Sequence, residues 1–366
     1  SCSIPIDVTR HWLSMVGVLS SASFPSRKQQ AMCARMVSEE VAPVVSDASD
    51  GVVHLRDVPP QSQDNGIGSL HELARVSKKS NRHAVNEDRC FSRCSKAHGL
   101  VYQTFGVADG HGGSDASELI QQSLPDKVND FLAAGMDVLT SYTLALQEVE
   151  ANFRILSADS GAGACIVSAT VAGPYIWCAN LGDCRCAVVK LTPPEIRSYR
   201  VVETVYWMSV DHKTTSDSEV ERIEKLGTSV VKGRVRGLVP TRSIGDFDVK
   251  DKVPDGVISI EPELRALDIG DNAEALVICA SDGLWDAVGA NALCNIIETH
   301  PGMEDVKGIA KRLVEYAVRR GSQDDCSTMV GFVSTGAPVL TEANSSSTVS
   351  ASSTWSTERV RCTFSL

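Results

Sequence analysis

The sequence predicts a mixed protein of helices and antiparallel strands, the α+β class, and three observations support this. Apolar, β-branched runs follow one another over 164–210, separated by the turn pairs Gly173-Pro174 and Gly182-Asp183. Over 137–156, apolar side chains instead recur every three or four positions, which is typical of an amphipathic helix. Acidic residues also stand beside several strand-like runs, where a folded core would need a reason to hold them.

Composition and charge exclude several classes of function. The chain has 366 residues, 43% of them hydrophobic, and a formal net charge of -11. This excess of acids argues against a general nucleic-acid-binding surface, and no segment approaches the ~20 apolar residues of a membrane span. The 12 cysteines lack zinc-type spacing and mostly lie in apolar runs, as reduced thiols do. We therefore expect an intracellular protein that is cytoplasmic or nuclear. The sequence says little about oligomers, and we expect a monomer.

Three parts are predicted along the chain. Residues 1–66 are expected to form an N-terminal extension, because their turn-rich sequence has little regular patterning. Residues 67–334 contain the regular succession of strands and helices and form the predicted catalytic domain. Residues 335–366 are rich in Ser and Thr and poor in core-forming residues, so a flexible tail is expected there.

The first half of the domain contains a strand that ends in a polar sequence. "GLVYQTFGVAD" predicts a strand ending at Asp109. A helix is expected next, with Ser114 or Asp115 as its N-cap and Glu118 placed for a capping box. This helix is predicted to run as far as Pro125.

A shorter helix in the second half has clear boundaries. "SDSEVERIEKLG" predicts a helix with Ser216 as its N-cap, Glu219 in a capping box and Gly227 as its C-terminal stop. Ile223 on this helix is assigned to the core. Trp285, which follows the buried run "EALVICASD", is assigned to the core as well.

Acids flank strand-like runs at four places, and the residues concerned are Glu87, Asp88, Asp109, Asp282, Asp324 and Asp325. An unpaired buried carboxylate is costly, so such groups pair with cations or coordinate a metal. Oxygen ligands with open positions suit Mg²⁺ or Mn²⁺, which keep several waters. Gly110 allows a tight turn, so its carbonyl can also face a cation, and Gly112 and Gly113 give His111 room to face a pocket.

Seven blocks of sequence, in order, resemble the metal-dependent protein serine/threonine phosphatases of type 2C. They are "NRHAVNEDR" (81–89), "VADGHGG" (107–113), "CANLGDCRCAVV" (178–189), "DHKTTSDSEVERIEKLG" (211–227), "TRSIGDFDVK" (241–250), "ICASDGLWDAV" (278–288) and "GSQDDCSTMV" (321–330). They cover about 75–333 and together are far more specific than a lone DGHGG. The resemblance implies an α-β-β-α sandwich of two antiparallel sheets flanked by helices, with a binuclear metal site at one end and a phosphoprotein as substrate.

The resemblance also implies a role for each polar residue. The groups that match the ligands of two Mg²⁺ or Mn²⁺ ions are Glu87, Asp109, the Gly110 carbonyl, Asp282 and Asp324. Asp109 would bridge the two ions, Asp88 would hold metal-bound water, and His111 would be the general acid. Asp183 matches a residue that helps to bind a weaker third metal in some members. A water bridging the two ions would attack phosphorus directly, without a phosphoenzyme.

On the sequence alone, each of these residues also has a structural alternative. Asp109-Gly110 and Asp183 lie in sequences that commonly form turns. Asp282 could cap the helix that follows it, and His111 could be a polar loop residue. These alternatives are weaker within the ordered set of blocks than they are for any one residue.

Three further residues at family positions are expected to have structural roles. Asp211 and Asp246 are predicted to support the loop that precedes a helix. His212 is left as a loop residue near the variable flap that the resemblance places over the cleft. No metal-binding role is expected for any of the three.

The match departs from the family pattern on both sides of the site. The family has a phosphate-binding Arg four residues before Glu87, but His83 occupies this position and Arg82 lies one residue earlier. Either Arg82 still reaches the phosphate or His83 has replaced it; we favour Arg82, because its stem is long and the loop can absorb one residue. Asp325 stands where the family mostly has Asn and adds a negative charge.

Two functions follow for this fold. The first is an active Mg²⁺- or Mn²⁺-dependent phosphatase acting on phosphoserine and phosphothreonine. The second is a pseudophosphatase, a binding module that has lost its chemistry. All four acidic ligand positions are filled, which favours the enzyme. The Ser/Thr-rich tail also permits regulation of an active enzyme.

Overall fold

The computed structural model describes residues 69–80, 85–157, 159–192, 201–302 and 304–335, together with the backbone of a strand over 356–360. The predicted extension, Arg82, His83 and most of the predicted tail therefore lie outside the described residues. The boundaries expected at 66 and 334 stay predictions.

Twelve strands and seven helices are found within the described residues. In chain order the strands are β1 Ser69–Lys78, β2 Arg89–Ala97, β3 Leu100–His111, β4 Gly163–Ala172, β5 Tyr175–Leu181, β6 Arg185–Leu191, β7 Val202–Trp207, β8 Ile244–Gly245, β9 Glu263–Asp268, β10 Glu274–Ala280, β11 Cys326–Ser334 and β12 Ser356–Val360. The helices are α1 Asp115–Ala133, α2 Val138–Ser157, α3 Asp217–Lys225, α4 Phe247–Lys250, α5 Asp282–Trp285, α6 Ala290–Glu298 and α7 Val306–Arg319.

The strands form two antiparallel sheets. One has the order β12-β1-β11-β10-β6-β7, and the other has the order β2-β3-β4-β5-β9, with the short β8 paired to β4. Apolar side chains such as Val107 and Val277 pack between the sheets. The helices α1 and α2 cover the outer face of one sheet, and α5, α6 and α7 cover the other. This is the predicted α-β-β-α sandwich.

The strand β4 shows why the central runs of the sequence are so apolar. All ten of its residues are buried, because one face meets the other sheet and the opposite face meets the helices. Its two buried hydroxyl residues, Ser168 and Thr170, are both hydrogen-bonded to the Tyr142 hydroxyl, at 2.7 and 2.9 Å. The polar atoms in this layer are thus satisfied by each other, as burial requires.

The predicted end of α1 at Pro125 is wrong, because the helix continues to Ala133. A proline inside a helix removes one backbone hydrogen bond and costs about 3 kcal/mol. Leu124, Val128 and Leu132 nevertheless keep the helical spacing through this region, and all three are buried against the sheet. Packing of this apolar stripe outweighs the local preference of proline.

Neither predicted capping box forms. The N-cap serines, Ser114 and Ser216, make no side-chain hydrogen bond to the helix backbone. Ser114 instead donates to Glu118, which is also paired with Arg89. Glu219 binds arginines from outside the first turn of its helix. Both glutamates are therefore used for tertiary contacts rather than for capping.

The sheet containing β1 extends into the predicted tail. Ser356–Val360 pairs antiparallel with β1, which gives five residues of the 335–366 segment a place in the sheet. None of the described helices is both long enough and apolar enough to cross a bilayer. The nine described cysteines are free, and seven of them are buried; the intracellular location stays a prediction.

Candidate active site

Acidic side chains from five chain segments meet at one end of the sandwich. Asp109 lies near the end of β3, and Asp282 opens α5 directly after β10. The Asp282 backbone N–H lies 3.4 Å from Asp109 Oδ2, so these two acids are neighbours. The loop before β2 contributes Glu87 and Asp88, and the remaining acids are Asp183, Asp324 and Asp325.

The backbone at Gly110 passes very close to the loop before β2. A Cβ atom at Gly110 would lie 2.5 Å from the carbonyl oxygen of Glu87 and 2.9 Å from Ser117 Oγ. Ser117 Oγ also donates a hydrogen bond to the Glu87 carbonyl. Only glycine fits here, and this contact holds the Glu87 segment against the strand that carries Asp109.

Asp88 is a buried acid whose bonding capacity is only half used. Ser281 Oγ donates to Asp88 Oδ2 at 2.9 Å, whereas the buried Oδ1 has no hydrogen-bond partner among the described residues. Burial, with a smaller contribution from the charge of Asp325, raises the pKa of Asp88 to about 7. An unpaired carboxylate oxygen at this depth indicates a missing donor or cation.

The crowding of these acids is what a bound cation would relieve. Burial and the neighbouring charges, first that of Asp88 and then that of Asp282, raise the pKa of Asp109 well above its ordinary value. Burial together with Asp183 and Asp286 raises the pKa of Asp282 to about 8. Hard oxygen donors of this kind suit Mg²⁺ or Mn²⁺ rather than softer metals. The donor set therefore fits the expected ions.

The type of donor atom, rather than the positions of the side chains, is what fits Mg²⁺ or Mn²⁺ here. Within the described ranges, no three His, Cys, Asp or Glu side chains already form a set that could hold a metal ion. The donor types fit such an ion, whereas binding of an ion by these residues stays a prediction. Mg²⁺ demands near-octahedral geometry and supplies the remaining positions with water.

His111, which is partly exposed, pairs with a buried acid for which only a structural role was expected. Its Nε2 atom lies 2.8 and 3.0 Å from the two carboxylate oxygens of Asp246, which is 1% exposed. Ser243 Oγ donates to the same carboxylate. Opposite His111 on β4 stands Gly163, where a Cβ atom would lie 2.3 Å from Asp246 and 2.5 Å from His111. The glycine makes room for the pair.

This pair sets the protonation of the imidazole. A carboxylate can only accept, so the bond to Asp246 requires a proton on Nε2 of His111. Burial alone would lower the pKa of His111, but the hydrogen bond and charge of Asp246, with Asp183 and Glu87, raise it. A protonated His111 then carries a second proton on Nδ1. The prediction that Asp246 is structural was incomplete, because it missed this contact.

Comparisons with known proteins identify the family of this chain. A sequence profile of the protein phosphatase 2C family matches residues 73–326. The chain belongs to the protein phosphatase 2C family. It is 31% identical over 266 residues to probable protein phosphatase 2C 30 of Arabidopsis thaliana, an alignment that covers 69% of this chain and 64% of that protein.

Other relatives give similar values. The chain is 29% identical over 235 residues to probable protein phosphatase 2C 54 of rice, Oryza sativa subsp. japonica, which covers 62% of this chain and 61% of that protein. It is 28% identical over 249 residues to bovine protein phosphatase 1A, with 63% and 62% covered. The chain thus spans less than two thirds of the length of these three relatives.

Solved structures support the fold. A phosphatase from a pathogenic strain of Toxoplasma gondii matches with a TM-score of 0.56 and 18% identity, covering 72% of this chain and 96% of that chain. A sex determining protein of C. elegans matches with a TM-score of 0.58 and 21% identity, covering 72% and 65%. At these identities the likeness shows the shared sandwich and no more.

In this phosphatase 2C fold, the predicted third-metal residue Asp183 lies in the turn between β5 and β6 and is nearly buried. Lys213 Nζ lies 3.4 Å from Asp183 Oδ2 and 3.5 Å from Asp211 Oδ2. Asp211 also binds the Arg185 guanidinium at 2.5 and 2.7 Å, as its expected structural role requires. The turn position of Asp183 is established, while binding of a third ion stays a prediction.

His212 holds the same turn in place from the other side. The Gly182 backbone N–H donates to His212 Nδ1 at 3.2 Å, and the His212 backbone N–H donates to the Gly182 carbonyl at 2.9 Å. Burial, with the charge of Arg242, lowers the pKa of His212 to about 3, so this imidazole stays neutral and can accept. His212 is thus a positioning residue for Asp183, although the sequence indicated only a loop residue.

Asp325 binds the backbone at Ser80 and Glu87, which stand on either side of the predicted phosphate-binding residues in the sequence. Its Oδ1 atom accepts from the Ser80 backbone N–H at 2.5 Å, and its Oδ2 atom accepts from the Glu87 backbone N–H at 2.8 Å. Both carboxylate oxygens are therefore used on backbone donors. An asparagine side chain could accept only one of these bonds.

A cleft of about 380 Å³ opens beside the acids, and the residues that line it are Asp282, Gly283, Asp286, Ala287, Arg320, Gly321, Ser322, Gln323 and Asp324. Arg320 contributes the positive charge among these lining residues, and the sequence reasoning did not single it out. A single arginine just after the end of a helix has no distinctive sequence pattern. Its contact with Tyr316 is the cation–π type, at 5.9 Å from the ring centroid.

Proposed function

We propose that this chain is a metal-dependent protein serine/threonine phosphatase that hydrolyses phosphoserine and phosphothreonine esters. The observation that supports this proposal is the meeting of crowded, partly unpaired carboxylates beside an open cleft and a His–Asp pair. Buried charges are costly unless they are paired or coordinate a metal, and most of these acids crowd each other instead. Family membership and the acids at matching positions point to the same chemistry.

Two Mg²⁺ or Mn²⁺ ions would be held by the acids that converge at this end, namely Glu87, Asp109, Asp282 and Asp324, with the Gly110 carbonyl. When bound, these ions would supply an activated water as nucleophile and would offset the negative charge of the phosphoryl group. Asp88, whose Oδ1 has no partner in the described structure, would accept a hydrogen bond from water near the ions. Asp183 would contribute to a third, weaker ion.

His111 would protonate the departing Ser or Thr oxygen. The imidazole is held by Asp246 through Nε2, which leaves the Nδ1 proton of the cationic form as the one to donate. An alkoxide is a poor leaving group, so its protonation matters most for a phosphorylated Ser or Thr. Asp246 acts through His111 and is a positioning residue.

Arg82 is proposed to bind the substrate phosphate. This proposal rests on the resemblance alone, because Arg82 lies outside the described part of the chain. We expect Arg82→Ala to lower kcat/KM for a phosphopeptide by roughly ten- to a hundredfold, chiefly through KM. His83→Ala should matter much less. Arg320→Ala serves as the comparison, since Arg320 lines the cleft; if its loss is larger, the phosphate is held by its guanidinium instead.

The pseudophosphatase alternative would require loss of the chemistry on an intact fold. All four acidic ligand positions are present in this chain, and the comparisons do not favour it. The deciding test is hydrolysis of a phosphothreonine peptide in the presence of Mn²⁺ or Mg²⁺, with and without excess chelator. Hydrolysis that stops with the chelator supports the proposal, whereas binding of the peptide without turnover at any metal concentration would favour the pseudophosphatase.

A further inference from the structure

One strongly basic segment stands out on this acidic chain. Residues 228–243, called the basic flap here, contain Lys232, Arg234, Arg236 and Arg242 and no acidic residue, although the whole chain has a net charge of -11. The site proposed above does not use these side chains. Their position and backbone conformation suggest what they are for.

The basic flap contains two consecutive tight turns. Val231 and Arg234 exchange two backbone hydrogen bonds at 2.9 and 3.1 Å, and Val235 and Leu238 do the same at 2.9 and 3.0 Å. In both turns the two central residues have positive φ: 53° and 68° for Lys232-Gly233, then 49° and 105° for Arg236-Gly237. Positive φ at both central positions defines the type I′ turn.

The residues at the first central positions run against the preference of this turn. Type I′ turns favour Asn or Asp before Gly, because Asn and Asp tolerate the left-handed conformation and long side chains do not. Lys232 and Arg236 occupy these places instead. A disfavoured residue that persists in a strained conformation points to a use for its side chain.

The first turn lies next to the acidic site. Thr214 Oγ1 donates to the Gly233 carbonyl at 2.6 Å, and the Thr214 backbone N–H donates to the Val239 carbonyl at 3.0 Å. The adjacent Lys213 reaches Asp183 with its ammonium group. Two adjacent residues therefore make the contact with the flap and the contact with Asp183.

The four cations of the basic flap are used differently. Arg242 is paired with Glu219, and Arg234 donates to the Gly237 carbonyl at 2.6 Å, which braces the second turn against the first. Lys232 and Arg236 are exposed and form no ion pair with any residue of the described ranges. Two cations are thus held on a hydrogen-bonded double turn, next to the segment that carries Lys213, without an acidic partner in the described ranges.

We propose that Lys232 and Arg236 bind acidic residues that flank the phosphorylated Ser or Thr of a peptide substrate. This inference rests on the proposed phosphatase function and specifies its substrate class. Charge complementarity between exposed groups gives orientation and discrimination, with modest energies for each pair. The acids at this end of the sandwich would repel such a peptide, whereas the exposed cations of the basic flap would attract it.

The test compares three phosphothreonine peptides that differ only in their flanking residues: Glu/Asp, Ser/Gly or Lys/Arg. At low salt we expect kcat/KM for the acidic peptide to exceed that for the neutral peptide by about three- to tenfold. The preference should fade between about 0.05 M and about 0.5 M salt, because exposed charges are then screened. No preference, or a preference for the basic peptide, would overturn the inference.

The decisive variant is Lys232→Asn with Arg236→Asn. Asn-Gly is the best pair for a type I′ turn, so this change removes both charges while leaving the double turn at least as stable. We expect the melting temperature to hold and the preference for acidic flanks to disappear. Lys232→Arg should keep the preference. If the double Asn variant keeps it, the cations of these two turns are not the determinant.

The matched control is Lys307→Gln with Lys311→Gln, which removes the same charge from the exposed face of α7. This control should leave the acidic preference unchanged, which separates a local contact from an effect of net charge. p-Nitrophenyl phosphate, which has no flanking residues, is assayed beside the peptides. If wild-type protein hydrolyses neither it nor any peptide with Mn²⁺, the proposed function fails; hydrolysis without flank preference defeats only the inference about the flap.

Discussion

Two groups of buried carboxylates in this molecule have opposite surroundings, one paired with cations and the other crowded by acids. Glu219 on α3, whose side chain is 4% exposed, accepts hydrogen bonds from Arg222, Arg242 and Thr241. Burial alone would raise the pKa of Glu219, but these three donors hold it well below its ordinary value. At the acid end the neighbours of Asp109 are other acids, and its pKa is raised.

The difference separates scaffold from site. A carboxylate that the chain pairs with its own arginines is complete, and its role is to hold elements together. A carboxylate surrounded by other carboxylates needs a positively charged partner from outside the chain. Groups whose pKa is shifted in this way cluster at functional sites. We therefore expect substitutions at the acid end to lower activity and substitution of Glu219 to lower stability.

The largest expected effect is from Asp109→Asn, with Asp282→Asn beside it. Each change removes a ligand charge, and turnover of a phosphothreonine peptide with Mn²⁺ should fall by at least about 10³-fold. The metal-free fold should survive or gain stability, because repulsion between the acids is relieved. Circular dichroism and thermal melting without metal check the fold. Wild-type turnover in either variant would contradict the ligand assignment.

His111→Gln should lower turnover of the phosphothreonine peptide by about 10²–10⁴-fold, the usual range for a lost general acid. The leaving group provides a sharper test. p-Nitrophenolate leaves readily without a proton, so hydrolysis of p-nitrophenyl phosphate should fall much less. An equal loss on both substrates would show that His111 does something other than protonate the leaving oxygen.

Asp246→Asn should follow the same pattern at a smaller magnitude, about ten- to a hundredfold on the peptide, because it acts through His111. The double variant should be no worse than His111→Gln alone, since the two residues work as a unit. Additive losses would instead indicate a separate role for Asp246. The melting temperature of each variant distinguishes a positioning role from simple destabilisation.

Glu219→Gln tests the scaffold side of the comparison. Breaking a buried ion pair by removing one partner costs about 3–5 kcal/mol, and this should appear as a clear drop in melting temperature near neutral pH. Turnover measured well below the melting temperature should change far less than in Asp109→Asn. A variant as stable as wild type would show that the arginines contribute little net stability here.

The pH dependence of this contribution has a definite sign. The pKa of Glu219 is lower in the folded state than in the unfolded chain, where it is about 4.3. Its stabilisation is therefore fully present above about pH 4.3 and is lost as the pH falls towards the folded value. The gap in stability between wild type and Glu219→Gln should narrow below pH 4. Denaturant melts at neutral pH and near pH 3 measure it.

The sequence predicted the acid end better than the His–Asp pair, for a physical reason. An acid at the end of a buried run is visible locally, because its burial would be costly without a partner. His111 and Asp246 are 135 residues apart and meet because Gly163 of β4 pairs with His111 on β3 and with Gly245 on β8, the residue before Asp246. The available signal was Gly163, a glycine at the start of an otherwise continuous apolar run, and it indicates close approach only once the strand register is known.

Asp325 lies between the two groups of carboxylates, and its substitution is expected to have the smallest effect on activity. It stands next to the predicted ligand Asp324, yet both of its oxygens are bound to backbone N–H groups of Ser80 and Glu87, as in a scaffold carboxylate. Asp325→Asn is nearly isosteric but replaces one acceptor by an amide donor that faces a backbone N–H. We expect KM for the phosphopeptide to rise about three- to tenfold, because the loop ends are held less firmly.

The kcat and the Mn²⁺ affinity of the Asp325→Asn variant show whether Asp325 is a scaffold carboxylate or part of the metal site. If it holds only the loop, kcat at saturating substrate should change little and the affinity for Mn²⁺, measured by calorimetry, should stay near the wild-type value. If it belongs to the metal site, Mn²⁺ affinity and kcat should both change while KM stays the same. Asp325→Ala, which removes both acceptors, should exceed the Asn variant in the first case because a second backbone donor is then left without its partner.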